Sequence, residues 1–212
     1  MRDGWYARWG KRGLDLLGAG AAVLLLSPLL LGTALAVRLA LGRPVLFRQE
    51  RAGREGAPFT LLKFRSMREG PGEDAARLTP FGRRLRASAL DELPQLLNVL
   101  RGEMSLVGPR PLPASYTARY SARQRQRLWV RPGLAGAAQA AGRNAVAWEE
   151  RLELDACYAA RTSLRADLRA LRGTFAVLLA GRGVHAPGHA TMPCFEGTLP
   201  EKCKIPEETL LP

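Results

Sequence analysis

Asp91 and Glu92 stand side by side in the run Ser88-Ala89-Leu90-Asp91-Glu92-Leu93-Pro94-Gln95-Leu96, and Arg110 follows between two prolines in Gly108-Pro109-Arg110-Pro111. An ionised aspartate can attack phosphorus and carry a phosphoryl group as an acyl phosphate. A neighbouring carboxylate can hold Mg2+, whose charge offsets the repulsion between nucleophile and phosphate. A guanidinium can grip phosphate through two parallel hydrogen bonds. Together these residue types are the parts of a phosphoryl-transfer site.

The elements around them must supply the geometry. With Asp91 as N-cap, Pro94 falls at the third helical position, where no intrahelical donor is lost. Both carboxylates then stand at a helix N-terminus, whose dipole favours their anionic form and a phosphate beside them. The competing arrangement is a capping box with Ser88 as cap. It would put Pro94 inside the helix at a cost of about 3 kcal/mol, so the exposed dyad is the expectation. Pro109 and Pro111 hold Arg110 on a stiff, extended backbone; the bland alternative is a connector with a solvated arginine. Lys63 and Arg65 follow the strand-like run Phe59-Thr60-Leu61-Leu62, and alternation puts them on the same face, which offers a second cationic contact. Arg83, Arg84 and Arg86 precede the dyad on a helix, and one of them is expected to face it.

Upstream, no charged residue occurs from Leu16 to Val37, about the 20 residues that a spanning helix needs. Ser27-Pro28 falls near its middle, and proline removes a backbone donor there. Each half has only about 11 residues, roughly 16 Å of helix, which reaches mid-bilayer. Arg2, Arg8, Lys11 and Arg12 precede the segment, and Arg38, Arg43, Arg48 and Arg51 follow it. A spanning helix normally has its basic excess on one side. The segment therefore reads as a re-entrant helix-break-helix with both ends cytoplasmic. The alternative is a single-pass anchor. Freed carbonyls at the bend could be satisfied by the Ser27 hydroxyl, and Trp5, Tyr6 and Trp9 suit the headgroup level.

The formal charge is +13 over 212 residues, which favours phosphate-bearing partners without choosing among lipid, nucleic acid and metabolite. A soluble nucleic-acid binder using Tyr120, Trp129 and the arginines from 119 to 131 is the weaker reading; a basic face on anionic lipid is preferred, with no nucleic acid as partner. Cys157, Cys194 and Cys203 are odd in number and follow no framework spacing, so no structural disulfide is expected. His185, His189, Cys194 and Cys203 match no compact zinc site.

The rest reads as mixed α+β, mostly helical, with one small β-hairpin from runs 45–49 and 59–64. Helices are expected at 79–87, 91–100, 113–129, 147–160 and 164–179. Segment 131–144, rich in glycine and alanine, is expected to be irregular, as is the chain from His185 onward. This gives an N-terminal membrane unit (1–42), a cytoplasmic catalytic domain (43–197) and a tail (198–212).

Several longer runs in fixed order carry a resemblance: Lys11-Arg12-Gly13-Leu14-Asp15, the Pro28 break, Pro44-Val45-Leu46-Phe47-Arg48-Gln49, Lys63-Phe64-Arg65-Ser66-Met67, the Asp91 segment, Gly102-Glu103-Met104-Ser105-Leu106-Val107-Gly108-Pro109-Arg110-Pro111, Val130-Arg131-Pro132-Gly133 and Leu154-Asp155 with Tyr158. The chain resembles the bacterial sugar transferase family, and more narrowly its small monotopic phosphoglycosyl transferases of the PglC type. The resemblance implies transfer of a sugar-1-phosphate from a UDP-sugar to undecaprenyl phosphate, with release of UMP, at the cytoplasmic face of the bacterial inner membrane. It implies a covalent phosphosugar on Asp91, Mg2+ held by Glu92, and phosphate held by Arg110. Lys63, Arg86 and Asp155 match further motif positions and are taken as substrate- or phosphate-binding. Ser66 stands where threonine is usual, and the run 134–144 lacks the usual threonine and valine. The reading from a different class is a non-catalytic, membrane-bound scaffold that binds phosphorylated lipid.

Overall fold

The N-terminal half is built around a bend. The computed structural model describes residues 5–71, 73–181, 183 and 192–197. A π-helical turn, Tyr6–Gly10, runs directly into α1 (Lys11–Leu25), and α2 (Ser27–Leu41) follows after Leu26. The two helices are bent by 63°. The cause is local. Pro28 has no N–H to offer the carbonyl of Leu24 one turn back, and the Ser27 hydroxyl donates to that carbonyl instead, at 2.8 Å. Among the described residues no single helix is long and apolar enough to cross a membrane; the bent pair meets that test only jointly. Its outer face stays greasy, with Leu17, Leu24, Leu25, Leu31 and Leu39 each 73–79% exposed. A continuous apolar surface of this kind on a folded chain marks an interaction site, a membrane among the candidates.

β1 (Leu46–Ala52) and β2 (Pro58–Phe64) form the expected antiparallel hairpin, with longer strands than the sequence suggests. A single turn, α3 (Asp74–Arg77), leads to α4 (Pro80–Ala87). Thr79 caps α4 by accepting from the Gly82 N–H at 3.0 Å, with Pro80 at the first helical position, where its missing donor costs nothing. Next come α5 (Gln95–Arg101), β3 (Ser105–Val107), the single turn α6 (Ala122–Arg125), β4 (Gly133–Ala135), α7 (Ala137–Gly142), α8 (Trp148–Ala160) and α9 (Leu164–Leu179). The strands β3 and β4 pair in parallel. The result is mostly helical, as the sequence reading expects, with a second small sheet, β3–β4, beside the expected hairpin.

Two local expectations are corrected. Segment 113–129 is not one helix. It is a 3-10 turn, Ala114–Arg119, an extended Tyr120, then α6 and a second 3-10 turn, Gln126–Trp129. Ser121 and Gln124 exchange side-chain and backbone hydrogen bonds at 3.2 and 3.0 Å, and this capping box starts a new helix inside the apparent old one. Nor is segment 131–144 irregular, since it contains β4 and α7. Its small residues serve close approach: a Cβ on Gly133 would lie 2.0 Å from the Gly108 nitrogen. The zinc reading's His185, His189 and Cys203, and the tail 198–212, lie outside the described residues.

The two arms of the bend close on the segment that carries the dyad. On one side, α1 buries Ala19 among Phe59, Leu61, Leu96, Val99 and Met104. On the other, α2 buries Val37 with Phe64 and Leu85, and Leu90 packs on that cluster. Polar ties reinforce both. Asp15 Oδ1 accepts from the Ser105 hydroxyl and the Leu106 N–H, each at 2.9 Å. The Arg12 guanidinium donates to the Val99 and Leu100 carbonyls at the C-terminal end of α5, where a cation complements the helix dipole. Lys11 and the hydroxyls of Tyr6 and Tyr158 converge on Asp167.

Candidate active site

The dyad sits in a turn of its own. Ala89 adopts a left-handed conformation (φ +56°), and Leu90–Glu92 form one 3-10 turn. The helix α5 starts only at Gln95, with Pro94 in the capping position. Asp91 is therefore not a helix cap, which corrects the sequence expectation. The Ser88 hydroxyl donates to the Leu85 carbonyl, so the capping box is not formed either. Fully buried Asn98 fastens α5 to β2: its amide donates to the Thr60 carbonyl at 2.8 Å and its oxygen accepts from the Leu62 N–H at 3.1 Å. That link sets the next strand residue beside the dyad, with Lys63 Nζ 3.3 Å from Glu92 Oε1.

Arg110 arrives from the other side. The Gly108 N–H donates to the Ala135 carbonyl at 2.8 Å, and the Gly133 N–H donates to the Pro109 carbonyl at 2.9 Å. These bonds fix the chain as it leaves β3. The Arg110 guanidinium then forks onto Glu92, Nη2 to Oε1 at 2.5 Å and Nη1 to Oε2 at 3.3 Å. Behind it, Arg127 Nη2 donates to the Arg110 carbonyl at 2.6 Å and to Asp155 Oδ2 at 2.7 Å. Arg127 and Asp155 are 3% and 0% exposed. Asp155, expected among the phosphate-binding residues, does not line the cleft; it neutralises the arginine that braces Arg110 from behind.

Asp91, Glu92, Lys63, Arg86 and Arg110 all line one cleft of about 1140 Å³, in which basic side chains outnumber acidic ones by more than two to one. Arg86 is the arginine of its helix that faces the cleft, oriented by a bond from Nε to the Ser66 hydroxyl at 2.8 Å, while Arg83 and Arg84 are exposed. Arg65 lines the same cleft, but its guanidinium donates to the carbonyl of Leu41 at the end of α2 and pairs with Glu69 at 3.4 Å.

The two neighbouring carboxylates are electrostatically unlike. Burial, and then the charge of Glu92, push the Asp91 carboxyl up to about 6; Lys63, Arg86 and Arg110 pull the other way without overcoming this. Burial also opposes the charge on Glu92, yet Arg110 and Lys63 hold that carboxyl well below the usual range. Asp91 accepts no hydrogen bond from the described residues. The expectation that a helix end keeps both carboxylates anionic is thus replaced: burial dominates at Asp91, and cationic partners dominate at Glu92. The Lys63 ammonium is lowered by burial, and the Arg110 guanidinium is raised by Glu92.

Among the described residues no three His, Cys, Asp or Glu side chains gather into a metal cage. Mg2+ does not require one, because it is commonly held by one or two carboxylates plus substrate phosphates. Two adjacent hard-oxygen carboxylates on the wall of a cation-rich cleft fit that donor set. The sequence reading missed Arg143 and Arg151, which line the cleft near the dyad. The available signal was a lone arginine closing a glycine- and alanine-rich run, Gly142-Arg143.

The comparisons with known proteins agree with this geometry. The family described as bacterial sugar transferase matches residues 6–181. The uncharacterized sugar transferase EpsL of Bacillus subtilis is 44% identical over 194 residues, covering 89% of this chain and 96% of that protein. A UDP-glucose:undecaprenyl-phosphate glucose-1-phosphate transferase of Caulobacter vibrioides is 44% identical over 187 residues, covering 80% of this chain and 69% of its own. A UDP-N-acetylgalactosamine-undecaprenyl-phosphate N-acetylgalactosaminephosphotransferase of Aeromonas hydrophila is 37% identical, with 82% of this chain matched to 44% of that one. A match over most of the chain, with the dyad and its arginine inside it, leaves one conclusion: the chain belongs to the bacterial sugar transferase family.

Proposed function

We propose that this protein transfers a sugar-1-phosphate from a UDP-sugar to undecaprenyl phosphate through a phosphosugar held on Asp91. The named activities of the Caulobacter and Aeromonas relatives support the substrates. The observation that carries the mechanism is the contrast within the dyad: Glu92 is gripped by Arg110 and Lys63, while buried Asp91 keeps its carboxylate free of hydrogen bonds from the described residues.

An Asp91 oxygen attacks the sugar-bearing β-phosphorus. The bond from that phosphorus to the bridging oxygen breaks, and its electron pair leaves with UMP. An oxygen of undecaprenyl phosphate then attacks the same phosphorus, the Asp91–phosphorus bond breaks, and the carboxylate is restored. Glu92, with Asp91 beside it, would hold Mg2+, which when bound supplies positive charge against the phosphates. Arg110 fixes Glu92, and Arg86 and Lys63 place cationic charge beside the attacked group. A nucleophile whose carboxyl sits near 6 is ionised at neutral pH yet more basic than an ordinary aspartate.

In this reading the bent pair carries the chemistry to the membrane. With α1 and α2 entering one leaflet and returning, the dyad turn lies in the fork between them, close to the cytoplasmic membrane surface. The lipid phosphate and the water-borne donor then reach one cleft. The exposed leucines of the pair support this placement, and the Ser27 hydroxyl satisfies the carbonyl that Pro28 frees, as a bend inside lipid requires. In detergent with Mg2+, UDP-sugar and undecaprenyl phosphate, the protein should release UMP and Asp91→Asn should not. A scaffold that only binds phosphorylated lipid would release none in either form.

A further inference from the structure

Four arginines that line the cleft, Arg51, Arg65, Arg143 and Arg151, each keep one buried guanidinium nitrogen without a hydrogen bond among the described residues, and the last two stand together. Nη1 of Arg143 and Nε of Arg151 are buried and make no hydrogen bond among the described residues, a condition native structures seldom tolerate without a ligand or water. Neither arginine pairs with a carboxylate within 4.0 Å among those residues, and Arg151 is 3% exposed. The two are clamped together. Arg151 Nη2 donates to the Arg143 carbonyl at 2.5 Å, and Arg143 Nη2 reaches the Arg86 carbonyl at 3.3 Å. Arg143 also holds φ +54° and ψ −121°, a region that non-glycine residues rarely enter and that tends to persist where it serves a site. Both arginines line the main cleft and a small recess beside it that Arg110 and Gln139 share. Arg110 differs from them, because its fork is occupied by Glu92.

The reaction proposed above needs places for two phosphates. Attacking and leaving oxygens lie roughly in line through the transferred phosphorus. The phosphate that is not transferred must therefore stand away from Asp91, beyond the transferred group. In the second half Asp91 is the leaving group, so the incoming lipid phosphate uses the place that the nucleotide vacated. We propose that Arg143 and Arg151 form a second anion subsite, which takes the phosphate monoester of the departing nucleotide and then that of the incoming lipid. This rests on the transferase reading. Trp148 lines the same cleft and lies 5.1 Å from the Arg151 guanidinium, ring centroid to carbon, so its fluorescence can report occupancy.

The test is binding to the full chain in detergent, with UMP and uridine as probes and no donor present. Wild type should bind UMP at least about tenfold more tightly than uridine, the scale of a charge-assisted phosphate contact. Arg143→Gln and Arg151→Gln should each cut that preference about tenfold without weakening uridine, and Arg143→Lys should keep part of it. Undecaprenyl phosphate should displace UMP from wild type, and undecaprenol should not. Should Arg151→Gln fail to fold, Arg143→Gln and Arg143→Lys decide the matter. A preference unchanged in variants that melt like wild type overturns the subsite, as does a wild type indifferent to the phosphate. Failure of the lipid phosphate to displace UMP overturns the shared use. Adduct formation on Asp91 is read separately: an adduct with an unchanged preference removes the subsite and leaves the reaction, while a lost preference without any adduct removes the reaction and leaves the subsite.

Discussion

Arg110 grips Glu92 and not its neighbour Asp91: the guanidinium lies 2.5 Å from Glu92 Oε1, and Asp91 accepts no hydrogen bond from the described residues. One 3-10 turn thus carries two carboxylates with different work, one fixed as an anion and one buried with a raised pKa. Environment divides the roles of paired carboxylates in this way when it pushes their pKa values apart.

The first consequence is a pH profile. The rate of phosphosugar formation should rise with pH at a slope of one and level off above about 6, where Asp91 is ionised. Glu92 raises the Asp91 carboxyl, and Lys63 and Arg110 lower it. Glu92→Gln removes the first influence and frees the other two, so the acidic limb of its residual activity should move to lower pH. Single-turnover rates across pH 4–8 measure both. An acidic limb that stays in place would contradict the division of roles.

Stability should respond in a direction unusual for an aspartate. The folded Asp91 carboxyl sits at about 6 against 3.8 for the unconstrained group. Between those values the folded chain holds more protons than the unfolded one, so stability falls as pH rises through the window. Above it, the cost of the buried charge is on the order of 3 kcal/mol. Asparagine imitates the protonated form. Asp91→Asn should therefore melt higher than wild type at pH 7.5, and the difference should close near pH 4.

The brace behind Arg110 separates folding from function. Arg127→Met strands Asp155 as a buried charge and should cost about 3–5 kcal/mol. Adding Asp155→Leu removes that charge and should recover most of the stability. Turnover should not recover, because the Arg110 carbonyl has lost the 2.6 Å bond that orients it. Melting curves and kcat, measured well below the melting temperature, distinguish the two effects. A double variant both stable and fully active would show that Arg127 serves packing alone.

At the bend, Pro28→Leu restores the N–H that the Leu24 carbonyl lacks and should straighten the pair toward a spanning helix. Cysteines introduced beyond residue 41 should then become reactive from the opposite side of the membrane. If accessibility is the same as in wild type, proline is not what sets the bend.

The legible parts of the fold and the site were those whose signals are local. Ser27-Pro28 declares its bend by what proline removes, and the strand run ending at Phe64 places Lys63 by alternation. The Asp91-Glu92 pair and the proline-flanked Arg110 stand out by residue type together with the prolines and runs beside them. What the sequence hid depends on packing at long range. The pairing of Asp155 with Arg127 joins residues 28 apart behind the site. Arg143 became visible only once the glycine- and alanine-rich run folded into β4 and α7. The raised pKa of Asp91 comes first from burial, which depends on how distant segments pack around it, and only then from its neighbour Glu92.

The central claim is tested most directly by intact-protein mass spectrometry after a brief exposure to UDP-sugar and Mg2+ without lipid acceptor. The wild type should gain one sugar-phosphate, mapped to Asp91 and discharged on adding undecaprenyl phosphate, and Asp91→Asn should gain nothing. An adduct on another residue, or turnover by Asp91→Asn at the wild-type rate, would contradict the account.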